Sequence, residues 1–387
     1  MEFPNFLSLF IVSFFMMLGS PILVDLSIYF NISPENMNFI TTFYMIGEVS
    51  GFLIFNYCNR KFSKDNIAIC VYILLISVLI GLILMTSLFF FYGLYFISGI
   101  LLGIIFINSN SSMLESEVKN KDSVVNLGHG FFAIGALMSP FISSSLVDKQ
   151  ISWKIVYMIV IGLVLFSLIS YFIKSKRKMT ARDGLSKESE INDREKSYKK
   201  RNKFIYLLFS AILMLLYVMS EVTVFSWAPT FFRIDRIFDL YSASFIISLF
   251  WIGILSGRLL ISYLSYKFKS GNLLITLSVI SIVGLVILIF PTLQKLNFLG
   301  ALITGLGFSG IPPLLISSTG KISGSGKNEA LTVLLVTGIT FGGLVPFIIR
   351  FIVNYSIFIS ILIAIIFMVA FAIFVIVRKY YRKTIKI

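Results

Sequence analysis

Seven ionisable side chains interrupt the long apolar stretches of this sequence. They are Asp25, Glu48, Glu115, His129, Glu221, Arg258 and Arg350. At membrane depth an ionisable group is costly, so by default it faces a partner or a water-filled cavity. Asp25 and Glu115 lie near the ends of their stretches, where they can reach water. The others are the first candidates for handling protons or a polar solute.

Glu221 lies in the segment from Ser220 to Trp227. Helical spacing puts Glu221 on one face with Val224 and Phe225, and Trp227 lies about two-thirds of a turn away. A carboxylate beside aromatic rings can hold a hydroxylated or cationic solute. When it is shielded from water it can also exchange a proton near neutral pH. We therefore expect Glu221 to bind substrate and couple protons, with Trp227 as a second substrate contact.

Glu48, His129 and Arg258 each admit two interpretations. Glu48 is predicted near the middle of the second helix, where it carries a proton or is a buried carboxylate bonded to a neighbouring helix. His129 is the only histidine, and it relays protons or simply bonds another helix. We take both as proton-coupling candidates beside Glu221. We interpret Arg258 as a structural or gating residue that pairs with backbone carbonyls, a phosphate headgroup or an acid.

The densest polar run is Asn108-Ser109-Asn110-Ser111-Ser112 in the fourth predicted helix. Such amides and hydroxyls bind a polyol through paired donors and acceptors, but they also join helices to one another. Asn108 and Ser112 share a face, and Asn110 points elsewhere. We take Asn108, Asn110 and Ser112 as substrate-binding candidates. The run Ser317-Ser318-Thr319 holds the corresponding place in the tenth predicted helix, as expected for a solute site near a pseudo-twofold axis.

The elements that carry these residues are predicted to be membrane helices. The chain is 57% hydrophobic and 13% charged, which excludes a soluble globular protein. Its apolar runs last about 20 residues, enough for a helix to cross about 30 Å of hydrocarbon, and they lack the alternation of a membrane barrel. The predicted helices are 5–26, 38–58, 67–88, 91–114, 124–147, 152–173, 204–229, 240–265, 272–291, 297–318, 329–350 and 355–377.

The basic residues predict the orientation of these helices. With the N-terminus inside, the cytoplasmic segments hold 26 Lys and Arg residues and the outer segments hold five. This bias is the positive-inside rule, so the net charge of +15 needs no nucleic acid as partner. We expect a multi-pass protein of a bacterial inner membrane, in contact with lipid and with both termini cytoplasmic.

An internal repeat divides the chain into halves. Residues 46–57 and 252–263, which are 206 positions apart, are identical at six of twelve positions. The repeat predicts an all-α fold of two pseudo-symmetric six-helix bundles, at 1–173 and at 204–387, the second with a short basic cytoplasmic tail. Residues 174–203 between them form a linker that lies on the inner leaflet or acts as a regulatory binding segment.

Small residues and prolines recur at matched places in the two halves. The matched glycines are Gly47, Gly51, Gly253 and Gly257, where two helix backbones can approach closely. Prolines interrupt the helices at Gly19-Ser20-Pro21, Ser139-Pro140, Ile311-Pro312-Pro313 and Val345-Pro346. Kinks at the matched Pro140 and Pro346 suit helices that rock during transport, although they also occur in membrane helices with no such role.

We expect neither an enzyme nor a cofactor or metal protein. The sequence has no nucleophile motif, no phosphate-binding loop and no metal-ligand spacing. Without a nucleotide site, transport must be driven by an ion gradient or by the gradient of the solute itself.

Six plus six predicted helices with a long central loop resemble the major facilitator superfamily, and the basic loop from Asn59 to Lys64 is similar to its loop after the second helix. Within it the chain resembles the fucose:proton symporter family and the TsgA-type permeases. That resemblance is carried by Asn126 to Ala136, Glu221 to Pro229, Phe250 to Arg258, and Gly305 to Pro313.

The resemblance implies a central cavity lined by helices one, four, seven and ten. Asn110 matches a polar position of the family's fourth helix. The family's two acids are replaced here by Phe106 and by Ser20, with Asp25 displaced, so the sugar symporter's proton chemistry does not carry over.

These features predict a monomeric secondary transporter that takes up a small polar, sugar-like solute with protons by alternating access. Efflux of a drug or metabolite is the alternative within transport. A sensor or scaffold that does not transport is a third hypothesis, but the roughly 30-residue linker is too short for a folded output domain.

Overall fold

The computed structural model describes residues 2–18, 22–32, 37, 39–116, 118, 120–181, 196–238, 240–290, 294–323, 327–353 and 357–384. These residues form long helices joined by short turns. In chain order the helices are α1 (Phe3–Leu18), α2 (Leu23–Phe30), α3 (Phe39–Cys58), α4 (Lys64–Leu84), α5 (Leu88–Glu115), α6 (Lys121–Asp148), α7 (Lys154–Ala181), α8 (Lys196–Ile234), α9 (Leu240–Leu264), α10 (Ser270–Ile289), α11 (Gln294–Ser309), α12 (Ile311–Ser323), α13 (Lys327–Val353) and α14 (Ile357–Thr384).

The protein is an all-α, multi-pass membrane protein. Within the described residues, 10 helical segments are long and apolar enough to cross a membrane, and the segment Gln294–Lys321 combines α11 and α12. Two shorter apolar helices, Phe3–Leu18 and Asn328–Gly342, occupy the places of the first and eleventh predicted helices. The helices therefore agree with twelve spans, as the sequence predicts.

The proline sites behave differently from one another. In the tenth predicted helix the chain is interrupted at Gly310, between α11 and α12, and Pro312 and Pro313 lie in the first turn of α12. A proline is tolerated there because the first turn needs no intrahelical N–H donor. The breaks predicted at Pro140 and Pro346 are wrong, since α6 and α13 each run through as one helix, and the kinks predicted there stay predictions. Neighbouring groups can satisfy the freed carbonyls in membrane helices. The break predicted at 19–21 lies outside the described residues.

Contacts divide the chain into two units, 1–116 with 131–193 and 117–130 with 194–387. In unit 1, α3 packs on α5 and α4 packs on α7; in unit 2, α9 packs on α11 and α10 packs on α14. These pairs correspond under the 206-residue offset. α7 and α8 also extend into the predicted linker, to Ala181 and from Lys196. The boundaries predicted at 173 and 204 stay a prediction.

Two glycines let α3 and α5 touch backbone to backbone in unit 1. A Cβ atom added at Gly47 would meet the carbonyl oxygen of Phe96, and one added at Gly99 would meet that of Tyr44. Gly51 likewise lies against the backbone of Ile100. Because backbone cannot move aside as a flexible side chain can, these positions admit no larger residue without separating the helices.

The same contact recurs between α9 and α11 in unit 2. A Cβ atom at Gly253 would meet the carbonyl oxygen of Leu302, and one at Gly305 would meet that of Phe250. Both partners lie 206 residues after their counterparts in unit 1. Gly257 differs, because its nearest neighbour is the side chain of Ser309. The repeat therefore preserves a packing contact atom for atom, which supports the structural role predicted for these glycines.

Substituting these glycines tests the contact. We expect Gly99→Ala to lower the free energy of unfolding by about 1–3 kcal/mol, because the new methyl group overlaps the Tyr44 carbonyl. Gly93 lies on the same helix with no atom within 4 Å of an added Cβ, so Gly93→Ala is a matched control that should keep or slightly raise stability. Thermal unfolding of the purified variants in detergent measures both. Equal effects of the two substitutions would contradict the proposed contact.

Candidate functional site

α8 places a tyrosine and a glutamate one helical turn apart in unit 2. The hydroxyl group of Tyr217 donates a hydrogen bond to Oε1 of Glu221 over 2.6 Å. Tyr217 is buried, and Glu221 is half-buried. A carboxylate in this position has a fixed donor on one oxygen and can still receive a proton or a solute hydroxyl.

Arg258 connects this pair to three other helices. It is only 5% exposed, and its Nη1 donates to the carbonyl oxygen of His129 over 2.7 Å. Its Nε donates to the carbonyl oxygen of Ser309 over 3.3 Å, and its charge interacts electrostatically with Glu221. The predicted pairing of Arg258 with backbone carbonyls is confirmed.

A chain of aromatic ring contacts begins at Tyr217. The Tyr217 ring lies 5.6 Å from that of Phe308, which lies 5.7 Å from that of Phe250. The sequence of ring contacts continues through Trp251, 6.1 Å from Phe250, to Phe225, 6.0 Å from Trp251. Aromatic faces beside a few polar groups are the usual composition of a site for a small organic ligand.

Trp227 lies on the same helix as Glu221 and is half-buried. Its indole Nε1 is buried, and no hydrogen-bond partner for it occurs among the described residues. A buried indole N–H normally finds an acceptor. An arriving solute oxygen could serve as that acceptor, which fits the predicted role of Trp227 as a substrate contact.

His129 contributes to unit 2 through its backbone. Its side chain is buried, with 5% exposure, and its carbonyl oxygen accepts from Arg258. The contact places the predicted proton-coupling histidine beside the arginine. Its role in proton coupling stays a prediction.

Unit 1 holds a second tyrosine–glutamate pair at the same spacing, Tyr44 and Glu48 on α3. Glu48 is 4% exposed, and its backbone lies against Gly103 of α5. The Tyr44 hydroxyl is buried, and none of the described residues partners it. The spacing of this pair equals that of Tyr217 and Glu221 in unit 2, but Tyr44 donates no hydrogen bond to Glu48.

The polar run of α5 is used partly for packing. Asn108 Nδ2 donates to the carbonyl oxygen of Lys64 over 3.2 Å, and Lys64 Nζ donates to the hydroxyl group of Ser111. Asn110 Nδ2 donates within its own helix, to the Phe106 carbonyl oxygen over 2.9 Å. Asn108 and Asn110 are fully buried. The contacts of Asn108 are those of a residue that joins helices.

Ser112 is half-buried, and the side-chain oxygen Oδ1 of Asn108 is buried with no hydrogen-bond partner among the described residues. These two groups keep capacity for a solute. The substrate-binding roles of Asn108, Asn110 and Ser112 stay predictions.

Two features of this site did not emerge from the sequence. Tyr217 reads as an ordinary aromatic residue of an apolar helix, although its position four residues before Glu221 was a usable signal. The carbonyl oxygens of His129 and Ser309 carry no sequence signal, because any residue supplies one. The described residues contain no group of three or more His, Cys, Asp or Glu side chains placed to hold a metal ion.

Comparison with known proteins places this geometry in context. The family model of the Major Facilitator Superfamily matches residues 6–346. A protein TsgA homolog of Buchnera aphidicola subsp. Acyrthosiphon pisum is 25% identical over 352 residues, covering 89% of this chain and 86% of that protein. The glucose/mannose transporter GlcP of Bacillus subtilis is 23% identical over 329 residues, covering 82% of this chain and 78% of GlcP.

Among solved structures, the transporter FucP in its outward conformation is similar with a TM-score of 0.77. The identity is 16%, and 98% of each chain is covered. Another FucP structure is described as that of the Escherichia coli fucose:proton symporter. At this identity the structural likeness shows the fold alone.

The Arg258 bonds generate a stability prediction. We expect Arg258→Lys to lower the free energy of unfolding by about 1–3 kcal/mol, because one ammonium group cannot replace a guanidinium that bonds two carbonyl oxygens. Thermal unfolding in detergent measures the change. Arg60 is exposed, and Arg60→Lys is the control, with an expected change within about 0.5 kcal/mol. An unchanged Arg258→Lys protein would show that the two bonds do not hold the helices.

Proposed function

Because the chain belongs to the Major Facilitator Superfamily of transporters, we propose that it takes up a small polar, sugar-like solute together with protons. The observation that carries this proposal is the Tyr217–Glu221 pair with Arg258 beside it in a membrane-spanning region. Transport proceeds by alternating access, in which the solute site opens to one side of the membrane at a time.

Glu221 is the proposed proton acceptor. When it is ionised, it accepts the Tyr217 hydrogen bond and is attracted by the Arg258 charge. When it is protonated, it can donate a hydrogen bond to a solute oxygen. The ionised and the protonated forms of Glu221 thus bind different partners through the same carboxyl group. Proton uptake by Glu221 and solute binding are therefore able to influence each other. Glu48 with Tyr44 is the proposed equivalent in unit 1, with His129 as a third candidate.

The proposed solute is recognised by aromatic faces and hydrogen-bond groups together. In unit 2 the rings of Phe225 and Trp251 supply an apolar surface, and the buried indole N–H of Trp227 supplies a donor on another face of α8. In unit 1, taken by itself, Asn108, Asn110 and Ser112 are the proposed polar contacts. A sugar matches this combination, since its C–H faces are apolar and its hydroxyl groups donate and accept. GlcP is a glucose/mannose transporter and FucP is a fucose:proton symporter, and these similarities add weight to a sugar here.

Proton-coupled uptake is testable in proteoliposomes. We expect D-glucose, L-fucose or D-xylose, added outside to vesicles containing the protein and pyranine, to acidify the lumen. Glu221→Gln keeps the side-chain shape but cannot ionise, and it should reduce the acidification rate about ten-fold or more.

Asp235→Asn is the matched control for this experiment. Asp235 is an exposed carboxylate just beyond the end of α8, and its loss should leave proton movement unchanged. Full proton movement with Glu221→Gln would exclude Glu221 as the coupling carboxylate. Sugar uptake without proton movement would indicate a facilitative carrier. In inside-out vesicles, export from the cytoplasm appears as entry into the lumen. Labelled solute that enters such vesicles quickly against its gradient, and leaves them slowly, would favour efflux.

The basic loops support a proposed topology in which both termini face the cytoplasm of a bacterial inner membrane. We further propose a monomer whose two bundles, 1–173 and 204–387, are joined by the basic linker 174–203.

Reporter fusions test that topology. Green fluorescent protein fused after Ile387 should fluoresce, because it folds in the cytoplasm, and alkaline phosphatase at the same site should be inactive. Alkaline phosphatase inserted after Lys149, in a predicted outer loop, should be active. The reverse pattern would overturn the proposed orientation.

A further inference from the structure

A small cavity in unit 2 lies apart from the site described above. Four helices, α8, α10, α12 and α14, form its walls, and its lining includes Tyr206, Gly271, Ser318, Arg378 and Lys379. Its volume of about 40 Å³ is room for about three water molecules. The two basic residues lie at the end of the membrane-spanning segment Phe358–Tyr380. A polar cavity at that level can receive a group from water or from the lipid headgroups.

Arg378 is the charge that this cavity buries, with only 4% of the residue exposed. Its Nη2 donates to the hydroxyl groups of Ser318 and Thr319 on α12, over 3.0 Å and 3.3 Å. Its guanidinium carbon lies 4.2 Å from the centroid of the Tyr206 ring on α8. These three partners orient the guanidinium plane but carry no charge themselves. A planar fork of donors held in this way matches the oxygen atoms of a phosphate group.

Lys379 adds a second positive charge to the cavity. It is exposed, and its Nζ donates to Oδ1 of Asn272 on α10 over 2.8 Å. Gly271, in the first turn of α10, leaves room beside it, because an added Cβ atom would first meet the Lys379 side chain at 4.0 Å. The N-terminal end of a helix also favours negative charge. The two cations and the helix end together favour an anionic group.

Asp122 brings a carboxylate to the same end of α10. It accepts hydrogen bonds from the hydroxyl groups of Ser270, over 2.7 Å, and of Ser317. Its Oδ1 also forms an ion pair with Lys321 over 2.7 Å. Because the charge of Lys321 offsets that of Asp122, the positive potential of Arg378 and Lys379 is largely retained.

Apolar side chains adjoin the exposed edge of this cavity. Ile376 lies one turn before Lys379 on α14 and is exposed, and Phe268 is exposed just before α10 begins. Tyr380, which follows Lys379, is exposed as well, and tyrosines are enriched at the level of the lipid headgroups. Acyl chains can cover Ile376 and Phe268 while a phosphate group occupies the cavity. A phospholipid supplies both parts, whereas a free anion supplies one.

We propose that this cavity binds the phosphate group of an anionic phospholipid such as phosphatidylglycerol, through Arg378 and Lys379. The phosphate oxygens accept hydrogen bonds from the guanidinium and from the Lys379 ammonium group. A phosphatidylcholine headgroup carries its own cation, which these two side chains repel, so the site selects the anionic lipid. Basic pockets between membrane helices on the cytoplasmic side bind such headgroups, and the proposed topology puts this cavity on that side.

Lipid-dependent thermal unfolding tests this proposal. The purified full chain in detergent is titrated with phosphatidylglycerol and, in parallel, with phosphatidylcholine of the same acyl chains. A ligand that binds only the folded state raises the Tm as it binds, so the difference between the titrations gives an apparent affinity for the anionic headgroup. We expect phosphatidylglycerol to raise the Tm well above its value in phosphatidylcholine. Inorganic phosphate at the same concentration should leave the Tm unchanged, because it lacks acyl chains.

Three substitutions should weaken this affinity. Gly271→Leu fills the cavity but keeps the bonds of Arg378, and it should weaken the binding of phosphatidylglycerol about ten-fold or more. Arg378→Gln should do the same by removing the buried charge, and Lys379→Gln should weaken binding about five-fold. Lys267→Gln is the matched control. Lys267 is an exposed lysine of unit 2 that lies over the Tyr263 ring and does not line the cavity, so its loss should not change the affinity.

Four outcomes would overturn the proposal. Equal Tm values in phosphatidylglycerol and phosphatidylcholine would show no selection for an anionic headgroup. Inorganic phosphate as effective as the lipid would indicate a site for a free anion. Full affinity in Gly271→Leu would place the lipid elsewhere, and equal weakening by Lys267→Gln and Lys379→Gln would indicate diffuse surface charge.

Two of the variants keep the test independent of folding and of transport. Gly271→Leu and Lys379→Gln leave the buried bonds of Arg378 intact, so they carry the test if Arg378→Gln unfolds. No solute or pH gradient is used, so the absence of sugar transport would leave this result standing.

Discussion

The close approach of paired helix backbones is the constraint on which the rest of the structure depends. In each half, two glycines on facing helices bring a carbonyl oxygen to the place where any side chain would begin: Gly47 and Gly99 in unit 1, Gly253 and Gly305 in unit 2. Inside lipid there is little hydrophobic force between helices, so this contact must come from fit. These contacts fix α3 on α5 and α9 on α11, and the four helices carry Glu48, Asn108 and Arg258 among their polar side chains.

Two charged groups of the candidate site, Glu48 and Arg258, occur where the two halves stop matching. Glu48 corresponds to Ile254, and Arg258 corresponds to Phe52. In unit 1 the Phe52 ring packs 6.1 Å from that of Phe106, whereas in unit 2 Arg258 at the equivalent place bonds the Ser309 carbonyl oxygen. The duplicated backbone therefore supplies the same framework twice. Unit 1 carries the acid Glu48 on it, and unit 2 carries the base Arg258.

Much of the architecture could be predicted from the sequence because lipid restricts it so strongly. The length of the apolar runs predicted the membrane spans. The 206-residue repeat predicted close approach at the matched glycines, and the structure shows these contacts. Proline was a poorer guide, since Pro140 and Pro346 suggested breaks that α6 and α13 do not have. Site residues were predicted one by one, but their partners were not. Spacing alone could not show that Asn108 would bond the Lys64 backbone or that Arg258 would reach His129, because both depend on how separate helices pack.

Asp122 shows most clearly why contacts between helices could not be predicted from the sequence. An acid in the first turn of a helix is favourable by itself, through the helix dipole, so its presence at the start of α6 called for no further explanation. Its partners lie 148, 195 and 199 residues later in the chain, and two of them are serines. Only tertiary structure brings these groups to one carboxylate. Further along α6, Ser139 makes only a neutral hydrogen bond within unit 1. The bonds at the charged start of the helix are therefore the ones that a single substitution can weaken most.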